Sequence, residues 1–156
     1  MSDNLTAFLT MIRACEGTDT DDGYRALFGY TPTNGKVFDN GYVRHPDIKS
    51  PFTQTDGHLN YSSAAGAYQF IYSTWNELQQ KLNLPDFSPE SQDAAATELI
   101  RECGALSDIE AGYLSAAIDK CAGIWASLPA SHYPQPKRTF QFALDAYTEA
   151  GGQYVA

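Results

Sequence analysis

The sequence lacks the cysteines and the long apolar segments that mark several common classes of protein. Its three cysteines, Cys15, Cys103 and Cys121, are odd in number and widely spaced, which argues against a disulfide framework and against a four-cysteine zinc site. No apolar run approaches the length that crosses a bilayer, and the first residues lack a basic segment followed by a long apolar one. We therefore expect buried, reduced thiols, no signal peptide and no membrane insertion.

Positive charge is also scarce. Ten Lys and Arg residues against 19 Asp and Glu residues give a formal net charge of −9. Such a charge opposes binding to nucleic acid and to anionic membranes, so neither is an expected partner.

Metal-binding spacings are missing too. His45, His58 and His132 show no paired ligand spacing of the kind that metal hydrolases use. The acidic run at residues 19–22 imitates part of a calcium-binding loop, but it lacks the later Glu ligand and a following helix. We expect no metal site, and a solvated acidic loop is favoured over a calcium site.

Apolar side chains are plentiful enough for a packed core. Hydrophobic residues make up 43% of the 156 residues, and a chain of this length is typical of one domain. We therefore predict a single domain over residues 1–156. We also expect the protein to be a monomer.

The first helix is predicted to deliver a carboxylate to an unusual place. Within residues 5–17 we predict a helix that ends at Glu16, because the glycine that follows, Gly17, is a residue that commonly terminates helices. Glu16 then falls on the inward stripe of the helix, where desolvation and the negative end of the helix dipole would raise its pKa. A Glu held protonated near neutral pH is a general acid. The alternative is that Glu16 caps the helix or pairs with Arg13 or Arg25 at the surface. The stripe is formed by Leu5, Phe8, Leu9, Ile12 and Cys15.

The rest of the chain indicates a mixed architecture. Asn34-Gly35 separates two short apolar segments and predicts an antiparallel ribbon of residues 24–30 and 36–43, within a region of ribbon and loops over about residues 24–60. Helical spacing predominates afterwards. The predicted fold class is α+β, mainly helical, with a small antiparallel β-ribbon inserted after the first helix. The later helices are predicted over residues 64–82, 89–103 and 113–127, followed by a last helix that includes residues 140–147 and is terminated by Gly151-Gly152.

Five segments, read together, carry a family resemblance. They are Ala-Cys-Glu-Gly-Thr at residues 14–18, Ser-Ala-Ala-Gly-Ala-Tyr-Gln-Phe at 63–70, Asp-Phe-Ser-Pro-Glu-Ser-Gln-Asp-Ala at 86–94, Gly-Ala-Leu at 104–106, and Ile-Trp-Ala-Ser-Leu-Pro at 124–129. In this order they resemble the phage lambda endolysin family of lytic transglycosylases. The similarity extends over nearly the whole chain.

The resemblance implies a lysozyme-like fold and an activity on peptidoglycan glycan strands, without a cofactor. In that family the Glu that corresponds to Glu16 protonates the oxygen of the β-1,4 bond between N-acetylmuramic acid and N-acetylglucosamine, and later acts as base. The 6-hydroxyl of the muramic acid attacks its own anomeric carbon, which leaves a 1,6-anhydro end. Such a protein would accumulate in the host cytoplasm and would reach the periplasmic wall after a separate membrane-permeabilising protein had acted.

The resemblance also implies substrate-binding residues. Gly66, Tyr68 and Gln69 match a Gly-x-Tyr-Gln segment that contacts the glycan: glycine for close backbone approach, the tyrosine ring for a sugar face, and the amide for an acetamido group. The alternative is that Tyr68 is core and Gln69 only caps a helix. Tyr133 matches a tyrosine in a lid-like loop. Ala67 departs from the family, which has Arg there, so an anionic contact is in doubt.

Two other functions compete with transglycosylation. A hydrolytic muramidase of the phage T4 type would place an Asp nine residues after its Glu and a Thr six residues later, whereas this sequence has Arg25 and Thr31. The missing Asp favours a single-carboxylate mechanism, because hydrolysis generally needs a second carboxylate. The alternative is that Asp19, Asp21 or Asp22 folds back to supply it. The other competitor is a non-catalytic peptidoglycan-binding module.

Overall fold

The computed structural model describes residues 2–129 and 137–156. Over these ranges the structure contains six α-helices, one short 3-10 helix (Gly23–Arg25) and one two-stranded antiparallel sheet, so the predicted α+β class is confirmed. The chain forms two compact units, one of Met1–Glu16 with Ala96–Ala156 and the other of Gly17–Ala95. The expectation of one domain over residues 1–156 stays a prediction.

The first unit is helical, and its central pair is the first and last helices of the chain. Helix α1 (Asp3–Glu16) packs against α6 (Phe140–Glu149) and α4 (Leu106–Ala111). Its apolar stripe is buried, as its periodicity predicts. The unit also contains α5 (Leu114–Cys121) and the second half of α3 (Pro89–Glu102).

Side-chain caps fix where the first and last helices begin. The Ser2 hydroxyl accepts a hydrogen bond from the Leu5 backbone N–H at 3.1 Å. The Thr139 hydroxyl accepts one from the Phe142 N–H at 3.1 Å. Each cap satisfies a backbone donor that the first turn of a helix leaves without a partner.

The second unit is organised around aromatic side chains. It contains the sheet strands β1 (Ser50–Thr53) and β2 (Leu59–Ser62), helix α2 (Tyr72–Leu82) and the first half of α3. The Trp75 and Phe87 rings pack edge to face, with their centroids 4.6 Å apart. Residues Phe38, Tyr68, Phe70, Trp75 and Phe87 are all buried.

The predicted position of the ribbon is wrong. Residues 24–30 and 36–43 share only the isolated bridge between Ala26 and Val37, whereas the sheet pairs Ser50–Thr53 with Leu59–Ser62. The Asn34 side chain explains why the two segments do not form a ribbon. Its Oδ1 accepts hydrogen bonds from the backbone N–H groups of Thr31 and Lys36, which stabilises a loop between the segments.

The start of the second predicted helix is also wrong. Residues 64–71 form a turn, and α2 begins at Tyr72 rather than at residue 64. Gly66 and Gln69 have φ values of +83° and +53°, which a helix does not permit. The helix predicted over residues 113–127 is shorter, since α5 ends at Cys121.

The length and composition of the helices also bear on the expectation of no membrane insertion. None of the helices within the described ranges combines the length and the apolar composition that crossing a bilayer requires.

Candidate active site

Glu16 is the last residue of α1. The predicted end of the helix is confirmed, because Gly17 adopts a left-handed φ of +78° that stops the helix directly after Glu16. The Glu16 side chain keeps partial contact with solvent. A carboxyl group placed this way is reachable by a ligand while most of its surroundings are protein.

Those surroundings change the acidity of the carboxyl group. Burial raises the pKa of Glu16 from 4.5 to about 7, in the direction that the sequence predicts. The Ser127 hydroxyl and the positive charge of Arg138 both act against this rise, because each favours the ionised form. Burial is the largest of the three effects, so the proton stays on Glu16 up to about neutral pH.

Arg138 is held beside the end of α1 by its own hydrogen bonds. Its Nε donates to the Cys15 carbonyl oxygen at 3.2 Å, and its backbone N–H donates to the Ser127 carbonyl oxygen at 2.8 Å. The guanidinium carbon lies 4.6 Å from the centroid of the Phe142 ring. Neither Arg138 nor Ser127 was among the residues that the sequence identified for the site.

The cations that offered an alternative role for Glu16 have other partners. The Arg25 guanidinium forms an ion pair with Asp22 at 2.6 Å. Arg13 donates to the Thr10 hydroxyl at 3.0 Å, one turn back on the same helix. Arg138 is the described cation whose charge lowers the pKa of Glu16.

In the second unit, the substrate-binding candidates Gly66, Tyr68 and Gln69 share one tight turn. Ala65 and Phe70 close the turn with two backbone hydrogen bonds of 2.9 and 3.0 Å. Gln69 is not a glycine, so its positive φ costs energy that the surrounding bonds must offset. Backbone strain of this kind is concentrated at functional sites.

The Gln92 side chain supports the turn from inside. Its Oε1 accepts from the Ala67 N–H at 2.9 Å, and its Nε2 donates to the carbonyl oxygens of Tyr24 and Phe87 at 3.0 and 2.9 Å. Both Gln92 and Ala67 are fully buried. A Cβ atom on Gly66 would collide with Gln92 Oε1 and come within 2.9 Å of Phe87 Cζ. Glycine is therefore required at position 66 by both conformation and space.

Tyr68 does not present its ring to a sugar. The residue is 1% exposed, and its hydroxyl donates to Asp93 at 2.6 Å. The Tyr24 hydroxyl donates to the same Asp93 oxygen at 2.7 Å. The proposed stacking of Tyr68 on a sugar face is corrected accordingly, because the ring belongs to the core of the second unit.

Gln69 is better placed for a ligand. Its side chain is partly exposed, and its Nε2 donates to the Gly66 carbonyl oxygen at 2.8 Å. Within the described ranges nothing donates to its amide oxygen, which remains available to an N–H group of a ligand.

The remaining candidates are Tyr133 and the histidines. Tyr133 and His132 lie outside the described residues. The buried His45 uses both ring nitrogens, with Nε2 2.7 Å from the Phe70 carbonyl oxygen and Nδ1 3.0 Å from the Asp47 N–H. In residues 2–129 and 137–156, no three His, Cys, Asp or Glu side chains are grouped as a metal site would require.

The sequence matches one family over nearly its full length. The Endolysin family model matches residues 6–154. The chain belongs to the endolysin family. It is 37% identical to the endolysin of Escherichia phage P2 over 155 residues, which cover 96% of this chain and 93% of that protein. It is 38% identical to the endolysin of Escherichia phage lambda over 146 residues, which cover 94% and 90%.

Solved structures show that this endolysin has a lysozyme-like fold. The bacteriophage lambda lysozyme complexed with a chitohexasaccharide superposes with a TM-score of 0.89 at 35% identity, over 99% of this chain and 98% of that chain. A second structure, the lysozyme from bacteriophage lambda, gives a TM-score of 0.80 with the same identity and coverage. The family membership and the fold make this endolysin a peptidoglycan-degrading enzyme.

Proposed function

We propose that this endolysin is a lytic transglycosylase that cleaves the β-1,4 bond between N-acetylmuramic acid and N-acetylglucosamine, with Glu16 as its acid and base. The observation that carries the proposal is the carboxyl group at the end of α1, whose pKa burial raises to about 7. A general acid works best when its pKa lies near the working pH.

The reaction needs one carboxyl group used twice. Protonated Glu16 gives its proton to the glycosidic oxygen as the bond from that oxygen to the anomeric carbon breaks. The 6-hydroxyl oxygen of the muramic acid bonds to the anomeric carbon, and its proton passes to the Glu16 carboxylate. The products are a 1,6-anhydro end and a free 4-hydroxyl, and Glu16 is protonated again. Because the nucleophile is part of the substrate, proximity replaces a second catalytic carboxylate.

The electrostatics around Glu16 support this single-carboxylate reaction. A second carboxylate close by would raise the pKa of Glu16 by repulsion. The described groups that act on Glu16 are instead the Ser127 hydroxyl and Arg138. Position 25, where a hydrolase of the T4 type would place its Asp, is occupied by an arginine paired with Asp22.

Gln69 and Gly66 are the proposed glycan-binding residues of the second unit. The amide oxygen of Gln69 can accept from the N–H of an acetamido group. Gly66 would contribute by allowing the tight turn that carries Gln69, because the Cβ atom it lacks would face Gln92 and Phe87. The chitohexasaccharide bound to the lambda lysozyme is a polymer of acetamido sugars, which supports a glycan ligand for this chain as well. Tyr133 stays a proposed member of the site.

Digestion of purified peptidoglycan in isotopically labelled water tests the reaction type. We expect muropeptides that end in 1,6-anhydro-muramic acid, lighter than the reducing-end products by one water molecule and free of label. Mass spectrometry of the digest measures both properties. Reducing ends that carry the label would instead identify a hydrolytic muramidase and overturn the transglycosylase mechanism.

The place of action is part of the same proposal. Family membership suggests an enzyme that is made in the host cytoplasm and acts on the periplasmic wall, once a separate protein has permeabilised the membrane. Its substrate there would be the glycan strands of peptidoglycan, bound by a monomer.

A further inference from the structure

One arginine connects the three segments that surround Glu16 in the first unit. Through the bonds described above, Arg138 joins the last turn of α1, the backbone at Ser127 and the first turn of α6. A side chain with an N–H bond, a backbone bond and a ring contact has little freedom left. Its positive charge is therefore held in a fixed position relative to the Glu16 carboxyl group.

Ser127 supplies a second, neutral group. Its Oγ is buried and has no hydrogen-bond partner of regular geometry among the described residues, although its effect on the pKa shows that it lies close to Glu16. The contact is therefore long or poorly aligned. Such contacts in ligand-free active sites commonly tighten when charge develops during the reaction, and a buried hydroxyl without a good partner gains from doing so.

We propose that Ser127 and Arg138 are positioning residues that hold the Glu16 carboxylate in place during the interval between its loss and its recovery of a proton. The proposal rests on the proposed function, because only a carboxyl group that is used twice needs a stabilised anionic state in mid-reaction. Arg138 supplies fixed positive charge, and the Ser127 hydroxyl turns towards the new negative charge.

The ionisable groups on α6 and α4 are exposed or have partners other than Glu16, whereas the Cys15 thiol interacts with the charges of both Glu16 and Arg138. Arg13 and Cys15 lie on α1 itself. On α6, Asp145 accepts from Gln141, and the Tyr147 hydroxyl donates to Gln153, while Glu149 is exposed. On α4, Asp108 pairs with Lys120, and Glu110 accepts from Ser2 at the far end of α1. Arg138 is thus the cation through which the pKa of Glu16 can be changed selectively.

Carbon-13 NMR titration of the Glu16 carboxyl group tests the proposal without relying on activity. We expect a pKa of about 7 in the wild type, a rise on the order of one unit in Arg138→Gln, and a smaller rise in Ser127→Ala. Arg138→Lys should keep most of the wild-type value. Because the acid must be protonated, wild-type activity falls as the pH rises through about 7, and the alkaline limb of the rate profile should move up with the pKa in each variant.

The catalytic rate distinguishes a positioning role of Arg138 from a role in stabilising the fold alone. At the acid plateau, kcat should fall about tenfold in Arg138→Gln and recover in Arg138→Lys, with KM little changed. Ser115→Ala and Arg101→Gln serve as controls, because they remove a hydroxyl group and a guanidinium group from exposed positions in the first unit. Neither variant should change kcat or KM. An unchanged Glu16 pKa in both Ser127→Ala and Arg138→Gln would overturn the proposal. A shifted pKa combined with an active Glu16→Gln variant would overturn the proposed function instead.

A separate observation concerns two thiols in the first unit. The Sγ atoms of Cys103, directly after α3, and Cys121, the last residue of α5, lie 3.4 Å apart. Cys103 is partly exposed, whereas Cys121 is buried, and this burial raises the pKa of the Cys121 thiol. The sequence predicted that both would be buried, reduced thiols.

We infer that Cys103 and Cys121 form a disulfide when the protein meets a small disulfide oxidant of the oxidised-glutathione class. The accessible Cys103 sulfur, as thiolate, attacks one sulfur of the oxidant and releases the first thiol. The Cys121 sulfur loses its proton and displaces the second thiol from this mixed disulfide. The two protein thiols are oxidised, and the oxidant is reduced to two thiols. The chain would then gain a covalent link on leaving a reducing cytoplasm.

Intact-mass measurement and thermal unfolding after incubation with oxidised glutathione test this inference. We expect a mass loss of two hydrogens without an adduct, and a Tm higher by roughly 5 to 10 °C, because the link closes a loop in the unfolded chain. Cys121→Ser should stop at a glutathione adduct on Cys103, and Cys103→Ser should show neither adduct nor Tm rise. Cys15→Ser should behave as the wild type. A wild-type protein that keeps three thiols, or only gains an adduct, would overturn the inference.

Discussion

Replacing Glu16 with glutamine is expected to lower the rate of peptidoglycan cleavage on the order of a thousandfold. Glutamine has the shape of the protonated acid but cannot give a proton to the glycosidic oxygen. The fold should persist, because the partly buried position already favours a neutral side chain, as the raised pKa of Glu16 shows. Turbidity loss of purified cell walls measures the rate, and circular dichroism verifies the fold.

Glu149 provides a matched control. It is the last residue of α6, as Glu16 is of α1, but it is exposed. Glu149→Gln therefore removes a carboxylate from an equivalent helix end without touching the site and should keep full activity. If Glu16→Gln lysed walls as fast as the wild type, Glu16 would not be the catalyst, and a non-catalytic binding role for this residue would have to be considered.

Replacing Gly66 with alanine is expected to lower the Tm by about 10 °C. A left-handed conformation costs an alanine about 1 to 2 kcal/mol, and the forced displacement of Gln92 and Phe87 adds a similar amount. For a chain of this size each kcal/mol shifts the Tm by about 2 to 4 °C. Thermal unfolding followed by circular dichroism measures the change.

Gly35→Ala separates the two causes of this loss. Gly35 also has a positive φ, of +69°, but a Cβ atom there would meet no other atom within 4 Å. Its substitution should therefore cost only the conformational part, about 3 °C in Tm. Equal shifts in the two variants would show that the contact with Gln92 contributes nothing.

The sequence predicted the helix that carries Glu16 because that information is local. The apolar stripe of α1 repeats at helical spacing, and Gly17 directly follows the last turn, so both the buried face and the end of the helix can be read from neighbouring residues. The raised pKa of Glu16 follows from the same placement on the inward face. No distant residue is needed to argue for it.

The turn before α2 was predicted as helix because its residues have the propensity and the spacing of a helix. Ala64, Ala65 and Ala67 favour helices, and apolar side chains continue at helical spacing into α2. The decisive features are the positive φ values of Gly66 and Gln69 and the support from Gln92, which comes from a different helix. Tertiary contacts of this kind override local propensity and leave no periodic signal.

The environment of Glu16 was only partly predictable for a related reason. Ser127 lies within a segment that carried the family resemblance, but a serine after an alanine gives no sign that it faces a carboxyl group. Arg138 lay outside all of the matched segments. Its role follows from the contact of its Nε with the Cys15 carbonyl oxygen, a pairing between opposite ends of the chain.

That pairing of opposite ends determines when the enzyme becomes competent during its synthesis. Helix α1 leaves the ribosome well before α6, which packs against it. A nascent chain that ends before Arg138 lacks one of the groups that act on the pKa of Glu16. The environment that sets the pKa of Glu16 therefore forms only after both segments have been synthesised.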